Sequence, residues 1–335
     1  ILFSKNSVQV LIFMYGHQTA NKCIFVPNYE IFDMLTRRHL RVKVMQQLYA
    51  NTISYPFDLK VAQQQLQNSN IGFFELYLLL LNMFIEVQDC GRSLYELAKK
   101  QYLEANSNQL NPKFFSNRAI AKLASCDTLE KHTSKLKVNY WKKHDEYVRL
   151  IWDQIAASDR YTAYLSESEM GFGSEKTVLI DLFTDVIAPF ERLHELIEEI
   201  KPSWVDDFPL VNTIVRNTLF HMHEDTDPKD LILTSVYKDE EDKKFAVELL
   251  KSVAVHDEEL TAQLKGRTPN WEQDRIAVLD MILLKLAIAE FLYFPSIPSK
   301  VTINEYLEIA KEYATPNSST FINGILDVIS KELES

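Results

Sequence analysis

Four cations, Arg37, Arg38, Arg41 and Lys43, crowd the opening of a single amphipathic segment, residues 35–50. Cations at a helix N-terminus oppose the macrodipole by about 0.3–1 kcal/mol each, so a purely structural helix would carry Asp or Glu there. The placement points to an external anion. Arg37 and Arg41 lie one turn apart, a spacing that suits successive phosphates of a nucleic-acid strand, with base edges left to neighbouring polar and aromatic groups. A solvated basic face is the alternative these residues alone leave open. Leu40, Val44 and Leu48, widened by Met45 and Tyr49, give the later turns an apolar stripe that docks on a core.

No other group makes a comparable case. Gly171-Phe172-Gly173-Ser174-Glu175-Lys176 lacks the spacing of a phosphate loop and has no strand before it, so it reads as an interhelical loop. His221 and His223 stand two apart, and on a helix such side chains point away from each other rather than onto one metal. His256, beside Asp257, Glu258 and Glu259, reads as an exposed acidic helix start. No nucleophile–base–acid order or paired carboxylates emerge, so the expectation is a non-enzyme without metal or cofactor.

The elements that must position the basic residues are helical. Apolar residues recur at three and four throughout, predicting an all-α fold with helices near 36–51, 58–69, 71–105, 114–125, 128–158, 176–200, 205–222, 241–254, 256–265, 272–293, 301–314 and 316–334. Only seven glycines among 335 residues disfavour turn-rich sandwiches and dinucleotide folds. Apolar runs such as 10–15 and 77–81 fall short of the roughly 20 residues that span a bilayer, so no membrane span is expected. Cys23, Cys90 and Cys126 are odd in number and widely spaced, which speaks for a reducing cytoplasm rather than a disulfide framework or zinc site.

The net charge of −11 conceals an asymmetry: residues 1–175 balance to +3 and residues 176–335 to −14. A nucleic-acid surface therefore belongs to the first half. The turn-rich stretch 166–174 coincides with the reversal and predicts a boundary there, dividing 34–170, with its basic first helix and a long insertion, from 171–335. Residues 1–33 lack amphipathic period and are expected to be an extension outside the core, with Met34 as the natural start.

Shifting the chain by 67 residues lays Pro202-Ser203-Trp204-Val205-Asp206-Asp207 on Pro269-Asn270-Trp271-Glu272-Gln273-Asp274. Leu182, Phe183, Val186 and Leu193 then fall on Leu249, Leu250, Val253 and Leu260, while Val211, Ile214, Val215 and Leu219 fall on Val278, Met281, Ile282 and Leu286. The reading is a duplicated helical unit, about 176–222 and 243–292, with a chance register of apolar residues as the alternative.

The ending, 293–335, carries Ile297-Pro298, then Lys300-Val301, Ile303-Asn304-Glu305, Glu308 and Ala310-Lys311, and later Phe321-Ile322-Asn323-Gly324 with Asp327. Thr302 and Glu305 read as a capping box, and Gly324 inside a helix, at about 1 kcal/mol relative to Ala, implies close helix contact or approach of a ligand. Together with the Arg-Arg-x-x-Arg helix and 279–292, these segments resemble the bacterial transcription antitermination factor NusB family; residues 51–175 show no comparable match. The resemblance implies paired helical bundles, here enlarged by the added unit. It also implies an adaptor that binds boxA-type RNA of ribosomal RNA leaders with the small-subunit ribosomal protein acting as NusE, and so reaches the RNA polymerase elongation complex indirectly. Carried onto this chain, it implies RNA contacts at Arg37, Arg38, Arg41, Gln46, Tyr49, Phe321 and Asn323, to which the basic helix opening adds Lys43. His39 and Thr320 depart from the family's usual Arg and Lys. Asp280 and Glu290, acidic among apolar neighbours, are expected on the face toward a basic partner. Joint removal of the three arginines is expected to leave folding intact. The rival class is a helical protein–protein scaffold with this fold and no significant RNA binding.

Overall fold

A computed structural model describes residues 35–53, 58–100, 111–167, 171–265, 267 and 276–334. The extension 1–33, Met34 and the second Pro-x-Trp turn at Trp271 lie outside these. The described residues form helices and turns without a strand, and they group into two compact units.

The first unit contains residues 35–70 and 237–334. It holds α1 (Arg37–Ile53), the opening turns of α2 (Leu59–Lys100), α11 (Glu240–Val255), α12 (Asp257–Leu264), α13 (Val278–Tyr293), α14 (Ser299–Tyr313) and α15 (Ser318–Glu334). Helix α13 is apolar nearly all round, from Leu279 through Ile282, Leu283, Leu284, Leu286, Ala287 and Ile288, and its burial makes it the central rod. Against it pack the stripe Leu40, Val44, Met45 and Leu48 of α1, Leu249, Leu250 and Val253 of α11, Tyr306 and Ile309 of α14, and Ile322, Leu326 and Ile329 of α15, all buried.

The second unit spans residues 71–236. It holds the rest of α2 and α3 (Pro112–Phe115), α4 (Arg118–Ala124), α5 (Asp127–Leu136), α6 (Asp145–Ala156), α7 (Asp159–Ser166), α8 (Phe172–Leu182), α9 (Glu191–Ile200) and α10 (Trp204–His221). Here α2 is buried along Phe73, Leu76 to Leu81, Met83 and Phe84. Helix α2 is long and apolar enough to cross a membrane by length and composition, although apolar runs alone had pointed to no such span; 72% of its apolar window is buried inside the structure, as in the core helix of a globular unit. A Cβ on Gly91 would meet the Trp152 ring at 2.7 Å, so only glycine admits this approach.

The boundary at 170/171 is corrected. The basic first helix folds with the C-terminal acids, and residues 71–236 form the other unit. Long-range ion pairing outweighs the local cue of a polar loop. Segments 58–69 and 71–105 form one helix as far as it is described, because Gly72 keeps helical geometry and a Cβ there would stand 3.3 Å from Trp204 Nε1. Segment 128–158 divides because Lys137 takes a left-handed backbone (φ 57°) and Trp141 buries itself, its indole N–H donating to the Leu79 carbonyl at 2.8 Å. Segment 176–200 divides at Pro189, which cannot continue a helix; a π turn, Phe183–Ile187, precedes it.

The order helix, short helix, long helix occurs in α8 to α10 and again in α11 to α13, once in each unit. Leu182, Phe183, Leu193 and Leu219 are buried, as are Leu249, Leu250, Leu260 and Leu286 at the 67-residue shift. Val211 and Val278 depart from the pattern, the first buried and the second exposed.

Candidate nucleic-acid interface

At the start of helix α1 the His39 side chain reaches back to Thr36. The Thr36 hydroxyl lies 2.7 Å from His39 Nδ1, and the Thr36 backbone N–H donates to the same nitrogen at 3.4 Å. His39 thereby fills the place a Glu or Gln takes in a capping box. Burial, with Lys43 and Arg38 nearby, lowers its pKa to about 4, so the ring is neutral and Nδ1 is free to accept.

The anion that the basic opening turns require is supplied by the chain itself. Arg37 Nε donates to Asp242 Oδ1 at 2.7 Å, with Glu241 at 3.6 Å. Arg38 binds Glu305 through Nε and one terminal nitrogen, both at 2.8 Å. Arg41 binds Glu290 in the same two-pronged way at 2.7 and 2.8 Å. Its guanidinium also lies 5.2 Å from the Phe245 ring centroid and 5.8 Å from that of Tyr306. Three carboxylates from α11, α13 and α14 thus close over one turn of α1.

Burial sorts these pairs. Arg37 and Arg38 keep 38% and 44% of their side chains exposed, and a flanking anion can reach them. Arg41 and Glu290 are 3% and 0% exposed. Glu290 also accepts from Thr302 Oγ1 at 3.1 Å and from the Tyr306 hydroxyl at 2.5 Å, so both charges are fully satisfied in the interior. Burial opposes the charge on Arg41, but the Glu290 hydrogen bonds, joined by the charges of Tyr306, Glu290 and Glu305, together outweigh it and raise its pKa. Burial pushes the Glu305 carboxyl up, yet hydrogen bonding and charge from Arg38, with Arg41 and His39 behind, bring it below its ordinary range.

Several residues singled out in the sequence are therefore placed otherwise than expected. Arg41 is turned inward, and Lys43, buried, donates to Ser69 Oγ at 3.0 Å. Glu290 faces Arg41 instead of a partner. Asp280 is buried, accepts from Ser318 Oγ at 3.0 Å, and its pKa is raised by burial, offset in part by that hydrogen bond. Both acids were read as surface groups because periodicity cannot mark an outward face on a helix that is apolar all round. Thr302 does not cap α14, which begins at Ser299 behind Pro298; it serves Glu290. Gln46, Tyr49 and Phe321 are half-buried, and Asn323 is exposed. A Cβ on Gly324 would meet nothing within 4 Å, which removes close helix contact as its reason. Asp242 and Glu305 as arginine partners were missed; the signal available was the excess of acid in the second half facing the excess of base at α1.

These observations define an all-α protein whose basic opening helix is clasped by acids of three later helices. Residues 210–331 match the NusB family. The chain is 40% identical over 107 residues to the transcription antitermination protein NusB of Chloroherpeton thalassium, covering 32% of this chain and 51% of that protein. It is 43% identical over 94 residues to the protein of that name from Methylacidiphilum infernorum, covering 28% and 66%, and 38% identical over 97 residues to that from Koribacter versatilis, covering 29% and 66%. The chain thus spans about half to just under two thirds of the length of these relatives. No solved structure matches.

Proposed function

We propose that the protein is a non-catalytic transcription antitermination adaptor that binds boxA-type RNA together with the small-subunit ribosomal protein acting as NusE, in the bacterial cytoplasm, and engages RNA polymerase through that assembly. The observation that carries the reading is the similarity of residues 210–331 to the NusB family, whose match falls largely in the unit that positions Arg37 and Arg38. The exposed guanidinium edges of those two residues are the phosphate contacts. Asn323 and the open surface beside Gly324, with the half-buried Phe321, Gln46 and Tyr49, are candidates for base contact. Arg41 and Lys43 act through position, by fixing α1 on its unit.

The test is equilibrium binding of a boxA-type RNA, with and without the ribosomal protein, by the wild-type chain and by Arg37→Ala/Arg38→Ala with Arg41 intact. Each lost phosphate contact flattens the salt slope by about 0.7, with the fold retained. Wild-type affinity and slope in the folded double variant would overturn the site. A scaffold without RNA binding is the second reading, and it draws on the pairing of all three arginines with the protein's own carboxylates.

A further inference from the structure

Among the described residues of the second unit lies a positive surface whose cations are not spent on carboxylates. Residues 131–143 contain Lys131, Lys135, Lys137, Lys142 and Lys143 and no Asp or Glu, in a chain of net charge −11. All five lysines are exposed, and none forms an ion pair among the described residues. Lys142 has Glu86 in its neighbourhood without closing a pair; burial raises the Glu86 pKa, and the Lys142 charge opposes that rise.

The backbone beneath them is held firmly. His132 packs edge-on against Phe74 with centroids 5.3 Å apart, Asn82 donates to Thr133 Oγ1 at 2.8 Å, and the buried Trp141 is tied to the Leu79 carbonyl. Anchors thus alternate with lysines along the segment. Lys131 and Lys135 share one face of α5, four residues apart. Lys137 is the described non-glycine residue with a left-handed backbone, a position where Gly or Asn is the easier choice.

We infer that this lysine platform is a second RNA-binding surface, which takes the phosphodiester backbone of single-stranded RNA without reading its sequence. The inference rests on the RNA-adaptor reading for its choice of polyanion. Phosphate recognition by point charges needs no apolar centre, whereas a protein partner would. No large hydrophobic side chain stands exposed between residues 131 and 143. Ser134 and Asn139, both exposed, add neutral donors between the lysines.

The experiment compares the wild-type chain with Lys131→Gln/Lys135→Gln/Lys142→Gln/Lys143→Gln, using poly(U) RNA, a boxA-type RNA, its scrambled counterpart and polyglutamate across a salt series. Far-UV circular dichroism checks the fold of each variant. The expected result is a loss of poly(U) affinity of about tenfold and a salt slope flatter by about 0.7 per lost contact. The boxA preference over the scrambled strand should be unchanged. Wild-type affinity and slope for poly(U) in the folded variant would overturn the proposal even where boxA preference is intact. A lysine-dependent poly(U) slope without boxA preference supports the platform and counts against the adaptor reading instead. Loss confined to binding of polyglutamate, with RNA binding unaltered, would assign the surface to an acidic protein and also overturn the proposal.

Discussion

At the scale of single residues, a buried two-pronged pair differs in kind from its exposed neighbours. Arg41 and Glu290 bind each other, Thr302 and Tyr306 complete the shell of Glu290, and Glu305 lies 3.8 Å from Arg41. Removing one partner strands a buried charge, at about 3–5 kcal/mol. Arg41→Ala should therefore lower unfolding stability by that amount in urea titration, contrary to the expectation that removing the arginines leaves folding untouched; a change below 1 kcal/mol would show that the interior admits water. Arg37→Ala and Arg38→Ala, at half-exposed pairs, should each cost roughly 0–1 kcal/mol. His39 gives a pH signature. Its folded pKa of about 4 lies below the ordinary 6.5, so its contribution is fully present above pH 6.5 and is lost as pH falls toward 4. The loss amounts to about 3 kcal/mol over that window. Denaturant midpoints of His39→Gln measured from pH 7 to 4 should fall less than those of the wild type, while the Glu305 contribution is present above the ordinary carboxylate range and is lost as pH falls through its own depressed pKa.

At the scale of elements, two glycines on helices have opposite reasons. A Cβ on Gly91 of α2 would come within 2.7 and 2.8 Å of Trp152 and 2.9 Å of Phe115. Gly91→Ala should destabilise the protein by about 1–3 kcal/mol through overpacking, despite the better helix propensity of alanine. Gly324 of α15 has open space, so Gly324→Ala should stabilise by about 0.5–1 kcal/mol. Thermal melts decide both signs. If RNA approaches the α15 surface closely, Gly324→Ala also weakens boxA binding while the melt rises, a combination that packing alone does not produce.

At the scale of the whole molecule, the second unit enters and leaves the first at adjacent points. Asn70 Nδ2 donates to the Tyr237 hydroxyl at 2.7 Å, and these residues close the first unit's two segments, 35–70 and 237–334. An insertion whose ends meet can be excised with little strain. A chain joining Asn70 to Tyr237 through a short Gly/Ser link should show a cooperative urea transition and retain RNA binding dependent on Arg37 and Arg38. A non-cooperative transition would show that the first unit lacks a sufficient core of its own. Its poly(U) binding should also fall, because the lysine platform goes with the excised unit.

The sequence by itself determined the helical class, most element positions, the apolar stripe of α1 and the family resemblance, because each is written in local period or in a run of residue types. Tertiary structure alone decided which charges face water. On α1 the residues between Leu40 and Met45 are buried on every side, so a charge pattern that reads as a surface becomes an interior network once α11, α13 and α14 bring their carboxylates to it. Local turn chemistry placed the boundary at a polar loop near 170, while the units divide where α1 meets partners more than 200 residues away. Such pairings leave no periodic trace in either partner, since the free energy that selects them arises only when both are taken out of water together.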